Sequence, residues 1–179
     1  MQPPEQGQNY FELFGIEPAF DIDREQLQVK QRELQSSFHP DRHVNASERD
    51  KRLSIQMASW VNQAHEVLKD PVKRARYLLE MSAAEIPDDS ATTSDTAFLM
   101  EQIELRERVD SCRERDDGLE LSWQIEKELA ARGEALARQF VLAFDDNNLT
   151  TAVETYRKMQ FIQRIQHQLS ELQFELEDS

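Results

Sequence analysis

The chain has 179 residues, of which 39% are hydrophobic and 31% charged, so it is long enough to bury one or two small cores. Its net charge of -14 argues against nucleic acid as a partner, because phosphates must be neutralised by clustered Lys and Arg. The single cysteine, Cys112, excludes a disulfide framework and a thiolate metal site.

The N-terminal stretch "MQPPEQGQ" has neither a secretory nor a transit-peptide pattern, and no apolar run is long enough to span a membrane. A cytoplasmic protein with no membrane partner is therefore expected. The charge is unevenly spread, with a net of -2 for residues 1–80 and -12 for residues 81–179. This difference indicates that the two halves meet different partners.

The first half begins with two predicted helices. Asn9 is placed to cap a short helix over "YFELF", which Gly15 ends. Asp23 opens a second helix, in which Lys30 and Arg32 flank the apolar stripe and look outward. The stripe itself consists of Leu27, Leu34 and Phe38.

A tight turn, "HPDRH" at residues 39–43, separates the second helix from a third. Pro40 disfavours helical geometry at the residue before it and so ends the second helix. Asp70 and Pro71 end the third helix and open a short fourth, so the second and third helices form an antiparallel pair. The third helix is indicated by apolar residues at helical spacing, namely Leu53, Met57, Val61, Ala64 and Leu68.

The second half is expected to be a separate all-α domain. The stretch "SAAEIPDDSATTS", residues 82–94, lacks helical periodicity and is predicted to link a domain at 9–81 to a three-helix bundle at 95–179. Short turns between the bundle helices favour antiparallel neighbours. Gly133 falls inside the second bundle helix and is expected to mark a bend or a close approach. The three helices are predicted at about 95–113, 119–144 and 149–176.

The residues of the turn, taken alone, allow three interpretations. His39, Asp41 and His43 could bind a metal, although Pro40 keeps the two imidazoles from sharing a helix face. A His-Asp pair could act in acid-base catalysis, although no nucleophile accompanies it. The third interpretation is structural: Pro40 fixes the backbone and Asp41 caps the following segment.

The sequence around the turn resembles the J-domain of the DnaJ-type co-chaperones over residues 9–80. His39, Pro40 and Asp41 match the His-Pro-Asp signature of that family. The stretch "WVNQAHEVLKDPVKRARYL" matches the pattern that closes the domain, at Asn62, Ala64, Val67, Leu68, Asp70, Pro71, Arg74, Ala75 and Tyr77.

The J-domain resemblance implies that the turn docks on a DnaK-type chaperone ATPase and promotes hydrolysis of the ATP bound there. The essential contact would be made by His39, Pro40 and Asp41. The electrostatic face around it would be made by Lys30, Arg32 and Arg42. A protein of this kind has no active site, metal or cofactor of its own.

The second half resembles the HscB-type co-chaperones of iron-sulfur cluster assembly. The glycine- and phenylalanine-rich linker and the paired cysteines of general DnaJ proteins are missing, whereas "DTAFLMEQIELRE", residues 95–107, and the acidic bundle match the HscB type. The resemblance implies two partners, an HscA-like DnaK-type ATPase and an IscU-like iron-sulfur cluster scaffold protein, in a bacterial cytoplasm. A J-domain protein for a different client is the alternative.

A helical wheel of the first bundle helix gives a separate reason to expect a partner surface there. Phe98, Leu105, Val109 and Cys112 point in one direction and are predicted to face the core. An apolar patch with a charged rim is typical of a partner surface, although the first domain could instead cover it. Roughly opposite the core face lie Leu99, Met100, Ile103, Glu104 and Glu107.

The resemblance makes those five residues the scaffold-binding set and adds Phe161 from the last helix. The position of Phe161 in the sequence favours a different role, because it belongs to an apolar stripe with helical spacing. That stripe, which favours the core, consists of Phe161, Ile165, Leu169, Leu172 and Leu176.

Overall fold

The computed structural model describes residues 8–39, 47–87 and 95–178, and within these ranges the predicted all-α fold is confirmed. The helices are α1 (Tyr10–Phe14), α2 (Arg24–Phe38), α3 (Glu48–Lys69), α4 (Pro71–Met81), α5 (Thr96–Ser111), a 3₁₀ turn (Cys112–Glu114), α6 (Gly118–Asp145) and α7 (Leu149–Glu177). No helix in the described ranges is both long and apolar enough to cross a membrane.

The chain divides into two compact units, Met1–Leu78 and Leu79–Ser179. This division falls inside α4, a few residues before the predicted linker at 82–94, of which residues 88–94 lie outside the described ranges. The functional boundary between a domain at 9–81 and a bundle at 95–179 remains a prediction.

Side chains that accept backbone hydrogen bonds start the helices where the sequence predicts. Asn9 accepts from the amide of Glu12 at 2.9 Å, and the Glu12 carboxylate accepts from the amide of Asn9 at 3.0 Å. Gly15 ends α1 in the left-handed conformation, with φ 64°. Asp23 accepts from two amides of the first turn of α2, and Asp70 does the same for α4.

A buried arginine holds the first unit together. The Arg74 side chain is 4% exposed, and its guanidinium donates hydrogen bonds to the carbonyl oxygens of Phe20, at 2.6 Å, and Leu68. It also lies 5.0 Å from the centroid of the Phe20 ring. Burial lowers the pKa of Arg74 to about 10, so the group stays charged near neutral pH. Arg74 thus joins α4 to the end of α3 and to the segment before α2.

The contacts within the second unit fix the directions of its helices. Glu101 of α5 pairs with Arg132 of α6. Arg108, which lies farther along α5, pairs at 2.9 Å with Glu128, which lies earlier in α6. The helix α6 is therefore antiparallel to α5, as the short connection predicts. Hydrophobic packing fills the space between the three helices, with the following residues buried: Val109, Cys112, Ile125, Leu129, Phe140, Tyr156, Ile162, Ile165, Leu169 and Leu172.

The contacts between α5 and α7 advance in the same direction along both helices. The rings of Phe98 and Phe161 meet edge to face with centroids 5.6 Å apart, and farther along both helices the Gln168 amide donates to Asp110 at 3.4 Å. The helices α5 and α7 are therefore parallel, and α6 runs between their ends in the opposite direction. This up-down-up arrangement is the predicted three-helix bundle.

Two glycines of α6 occupy very different surroundings. A Cβ atom at Gly118 would lie 1.9 Å from the carbonyl oxygen of Cys112, so only glycine allows the chain to enter α6 this close to the 3₁₀ turn. At Gly133 the nearest atom to a Cβ would be the Ile162 Cγ2 at 4.0 Å, an ordinary contact. Of the two alternatives for Gly133, a bend or a close approach, the close approach is wrong, because α7 leaves room for a methyl group there.

These surroundings predict opposite effects of the same substitution. Gly133→Ala should raise the free energy of unfolding by about 0.5–1 kcal/mol, because alanine loses less backbone entropy in a helix. Gly118→Ala should lower it by about 2 kcal/mol or more, because the backbone must shift to admit the new carbon. Urea unfolding followed by circular dichroism measures both. A destabilised Gly133→Ala variant would contradict the packing of α6 on α7.

Candidate functional site

The predicted His-Pro-Asp turn follows the end of α2. His39 caps α2 with extended backbone angles, φ -62° and ψ 129°, and its side chain is exposed. Pro40, Asp41 and Arg42 lie outside the described residues, as does His43. The three interpretations of the turn therefore rest on the sequence, and the structure adds the direction in which α2 delivers the chain to it.

One face of α2 leads towards this turn. Arg32, Ser36 and His39 are spaced four and three residues apart, and together with Gln35 they line a shallow concavity. The Gln35 side chain also donates to Asn62 on α3 at 2.8 Å, which holds the two helices together near the turn. The predicted docking face is therefore continuous from Arg32 to His39.

The electrostatic contribution of α2 is smaller than its predicted cations suggest. Lys30 forms an ion pair with Glu33 at 2.9 Å, so its charge is largely balanced within the helix. Arg32 is exposed and forms no ion pair with any described residue. Of these two predicted cations, Arg32 is thus the one without an ion pair in the part of the chain that the structure describes.

An apolar residue on this face escaped the sequence analysis. Val29 lies one turn before Arg32 on the same side of α2, and its side chain is 51% exposed. The signal was present in the sequence, because Val29 falls off the stripe of Leu27, Leu34 and Phe38 that faces α3. An apolar contact next to Arg32 is therefore part of the candidate docking face.

Interactions at its N-terminus cap α5 and connect it to α7. Asp95 accepts the Phe98 amide at 3.0 Å and forms an ion pair with Lys158 of α7 at 3.3 Å. These two interactions, the amide first, lower the pKa of Asp95 from its ordinary value. The Lys158 ammonium also lies 5.4 Å from the centroid of the Phe98 ring. As the wheel predicts, the core side of α5 is buried at Phe98, Leu105, Val109 and Cys112.

The opposite side of α5 carries Leu99, Met100, Ile103, Glu104 and Glu107, which we call the α5 surface. The side chains of Met100 and Ile103 are 54% and 49% exposed, and Leu99 is half-buried. Glu104 and Glu107 are exposed and form no ion pair with the residues described, whereas the neighbouring Glu101 pairs with Arg132. The α5 surface thus combines exposed apolar side chains with unpaired carboxylates.

The core position that the apolar stripe predicts for Phe161 is confirmed. Its side chain is 1% exposed, because its stripe faces the core and its ring packs against Phe98. The guanidinium of Arg106 lies 5.7 Å from the Phe161 ring centroid and covers it from the side of α5. This burial leaves the ring almost no surface for the direct contact with the scaffold protein that the resemblance implies. The sequence analysis missed Arg106, since a cation on a helix carries no pattern of its own.

Stability measurements distinguish surface positions from core positions on this site. Met100→Ala and Ile103→Ala should each change the free energy of unfolding by less than about 1 kcal/mol, because the removed atoms are largely in water. Phe161→Ala should lower it by about 3–5 kcal/mol, because it leaves a cavity beside Phe98. Thermal melts of the three variants test this contrast. A strongly destabilised Ile103→Ala variant would place that side chain in the core.

Residues 94–170 match the family described as the HscB C-terminal oligomerisation domain. The co-chaperone protein HscB homolog of Shewanella halifaxensis (strain HAW-EB4) is 37% identical over 174 residues, which is 95% of this chain and 99% of that protein. The similarity therefore covers both halves of the chain, including the His-Pro-Asp turn and α5.

Two solved structures share this fold over most of their length. Chaperone HscB from Vibrio cholerae has a TM-score of 0.85 at 33% identity, covering 94% of this chain and 99% of that one. The human co-chaperone protein HscB has a TM-score of 0.87 at 27% identity, covering 95% of this chain and 84% of that one. Fold, turn and bundle together define a J-domain co-chaperone. Within that class, the chain belongs to the HscB family, the co-chaperones of iron-sulfur cluster assembly.

Proposed function

We propose that the chain connects an HscA-like, DnaK-type chaperone ATPase to an IscU-like iron-sulfur cluster scaffold protein, stimulating ATP hydrolysis by the first and delivering the second as its client. The observation that carries the proposal is the α5 surface. Met100 and Ile103 are half exposed there beside unpaired Glu104 and Glu107. A helix that only completed a bundle would be polar on that side.

The first domain supplies the contact with the ATPase. His39, Pro40 and Asp41 form the essential contact in this proposal, because a turn stiffened by proline loses little conformational entropy on docking. The exposed Arg32 and the concavity between Arg32 and His39 support a surface that leads to the turn. Lys30 and Arg42 are the remaining members of the proposed electrostatic face.

The bundle supplies the contact with the client. Apolar side chains at the centre of a contact provide most of the binding energy, and carboxylates at its rim govern the association rate and the orientation. Leu99, Met100 and Ile103 take the first role, and Glu104 and Glu107 take the second. The client is then expected to present an apolar site flanked by basic side chains.

The two domains divide the work, and the chemistry belongs to the partners. The proposed role requires no active site, metal or cofactor in this chain, and it involves neither nucleic acid nor membrane. The hydrolysed ATP is held by the chaperone, and the cluster is carried by the scaffold protein. The setting of the proposal is a bacterial cytoplasm.

The chaperone contact is tested by Asp41→Ala. The variant should lose stimulation of the HscA-like ATPase, because the carboxylate of the His-Pro-Asp signature is removed. Its free energy of unfolding should fall by no more than about 1 kcal/mol, the cost of a lost cap. Steady-state phosphate release with and without the co-chaperone measures the effect. Wild-type stimulation by a folded Asp41→Ala variant would remove the J-domain mechanism.

The client contact is tested by replacing Leu99, Met100 and Ile103 together with alanine. Each truncation should cost about 1–3 kcal/mol of binding, so the triple variant should weaken the complex with the purified scaffold protein at least about a hundredfold. Its stimulation of the ATPase without client should persist, because His39, Pro40 and Asp41 lie in the other domain. Isothermal titration measures the affinity.

Normal client binding by the folded triple variant would contradict the assignment of the α5 surface. Binding of a different client in place of the scaffold protein would leave the J-domain intact but change the function of the bundle. The two domains are thus tested by separate measurements on the same variants.

A further inference from the structure

Most cations of the bundle are neutralised by neighbouring carboxylates. Six of them, all in ion pairs, are Arg108, Arg113, Arg115, Arg132, Arg138 and Lys158. Three others, Arg106, Lys127 and Arg164, form no ion pair with any described residue. In a half of the chain with a net charge of -12, an exposed cation that has no carboxylate partner is unusual and calls for a physical reason.

Two of these three cations lie beside the α5 surface. Arg106 is one turn beyond Ile103 on α5, and Arg164 is one turn beyond Phe161 on α7. The contact of Phe98 with Phe161 and that of Asp110 with Gln168 bracket this stretch of the seam between the parallel helices. Arg106 and Arg164 therefore border the α5 surface along the α5–α7 seam. The third cation, Lys127, is exposed on α6.

Arg106 is held ready for an anion. Its guanidinium lies over the buried Phe161 ring, 5.7 Å from the centroid, and an arginine in such a cation–π contact keeps N–H groups that a carboxylate can accept from. Asp110, the carboxylate one turn farther along α5, is already engaged by Arg113 at 3.6 Å and by Gln168 at 3.4 Å. An arginine positioned before binding loses less side-chain entropy when it forms a two-pronged pair.

We infer that Arg106 and Arg164 form a carboxylate-binding edge of the client surface, and that the scaffold protein presents acidic side chains to it. The inference rests on the proposed function and adds the chemistry of the client on this side. Cations of the client meet Glu104 and Glu107 on α5, and its carboxylates meet the two arginines along the seam. A rim that carries negative charge on one side and positive charge on the other favours one orientation of the client, because a reversed client would bring like charges together.

This edge also gives Phe161 a role that agrees with its burial. Its buried ring lies beneath the guanidinium of Arg106 and packs edge to face against Phe98. Truncation of Phe161 would remove its contact with the Arg106 guanidinium and also its packing against Phe98 of α5. Phe161 is therefore a positioning residue for the client surface.

The test compares Arg106→Gln and Arg164→Gln with Lys127→Gln, a matched control that removes the same charge from α6. In titrations of the purified iron-sulfur scaffold protein, each arginine variant should weaken binding about threefold to tenfold, with a shallower dependence on salt. The double arginine variant should lose about tenfold to a hundredfold, and Lys127→Gln should stay within about twofold of the wild type. Arg164→Gln should melt as the wild type does, because Arg164 has no ion pair to lose within the described ranges.

Three outcomes would overturn the inference. An equal loss with Lys127→Gln would assign the effect to net charge rather than to the edge. Unchanged binding by both arginine variants, while Met100→Ala and Ile103→Ala still weaken it, would remove the edge and leave the proposed function standing. A wild-type chain that does not bind the scaffold protein would remove both.

Discussion

The edge-to-face contact between Phe98 and Phe161 anchors the core side of α5, which the helical period of its apolar residues already indicates. Both rings are buried, and cations flank them on either side, with Lys158 near Phe98 and Arg106 near Phe161. Because α5 carries apolar residues around most of its circumference, a rotation about its axis would bury a different set. The ring contact holds α5 in the rotation that the helical period indicates, in which Met100 and Ile103 are exposed.

Ion pairing balances some carboxylates of the bundle and leaves others unpaired. On α5, Glu101 pairs with Arg132, and at the start of the helix Asp95 pairs with Lys158. Glu104 and Glu107 have no ion pair in the described residues. Pairing therefore removes charge where α5 meets its neighbours and leaves charge around the apolar centre. In the proposed function, this distribution attracts the basic side chains of the client at long range and orients the client at close range.

In the proposed function, the first domain presents a short turn to its partner, whereas the bundle presents the α5 surface. A buried arginine, Arg74, connects α4 with the end of α3 and with the segment before α2. On α2 the pairing of Lys30 with Glu33 leaves Arg32 as the exposed cation of the two predicted ones. In the proposed function, the first domain therefore uses a short turn and few charges, and the bundle uses an extended surface.

The sequence by itself determined the helices, their caps at Asn9, Asp23 and Asp95, and the core and solvent sides of α5, because capping and the 3.6-residue period act within a few residues of the chain. Only the tertiary structure decided the edge-to-face contact of Phe161 with Phe98, the placing of Arg106 over the Phe161 ring and the free space at Gly133. Each of these depends on the distance between side chains on different helices, separated by tens of residues in sequence. Local rules cannot supply that distance, because it is set by how whole helices pack.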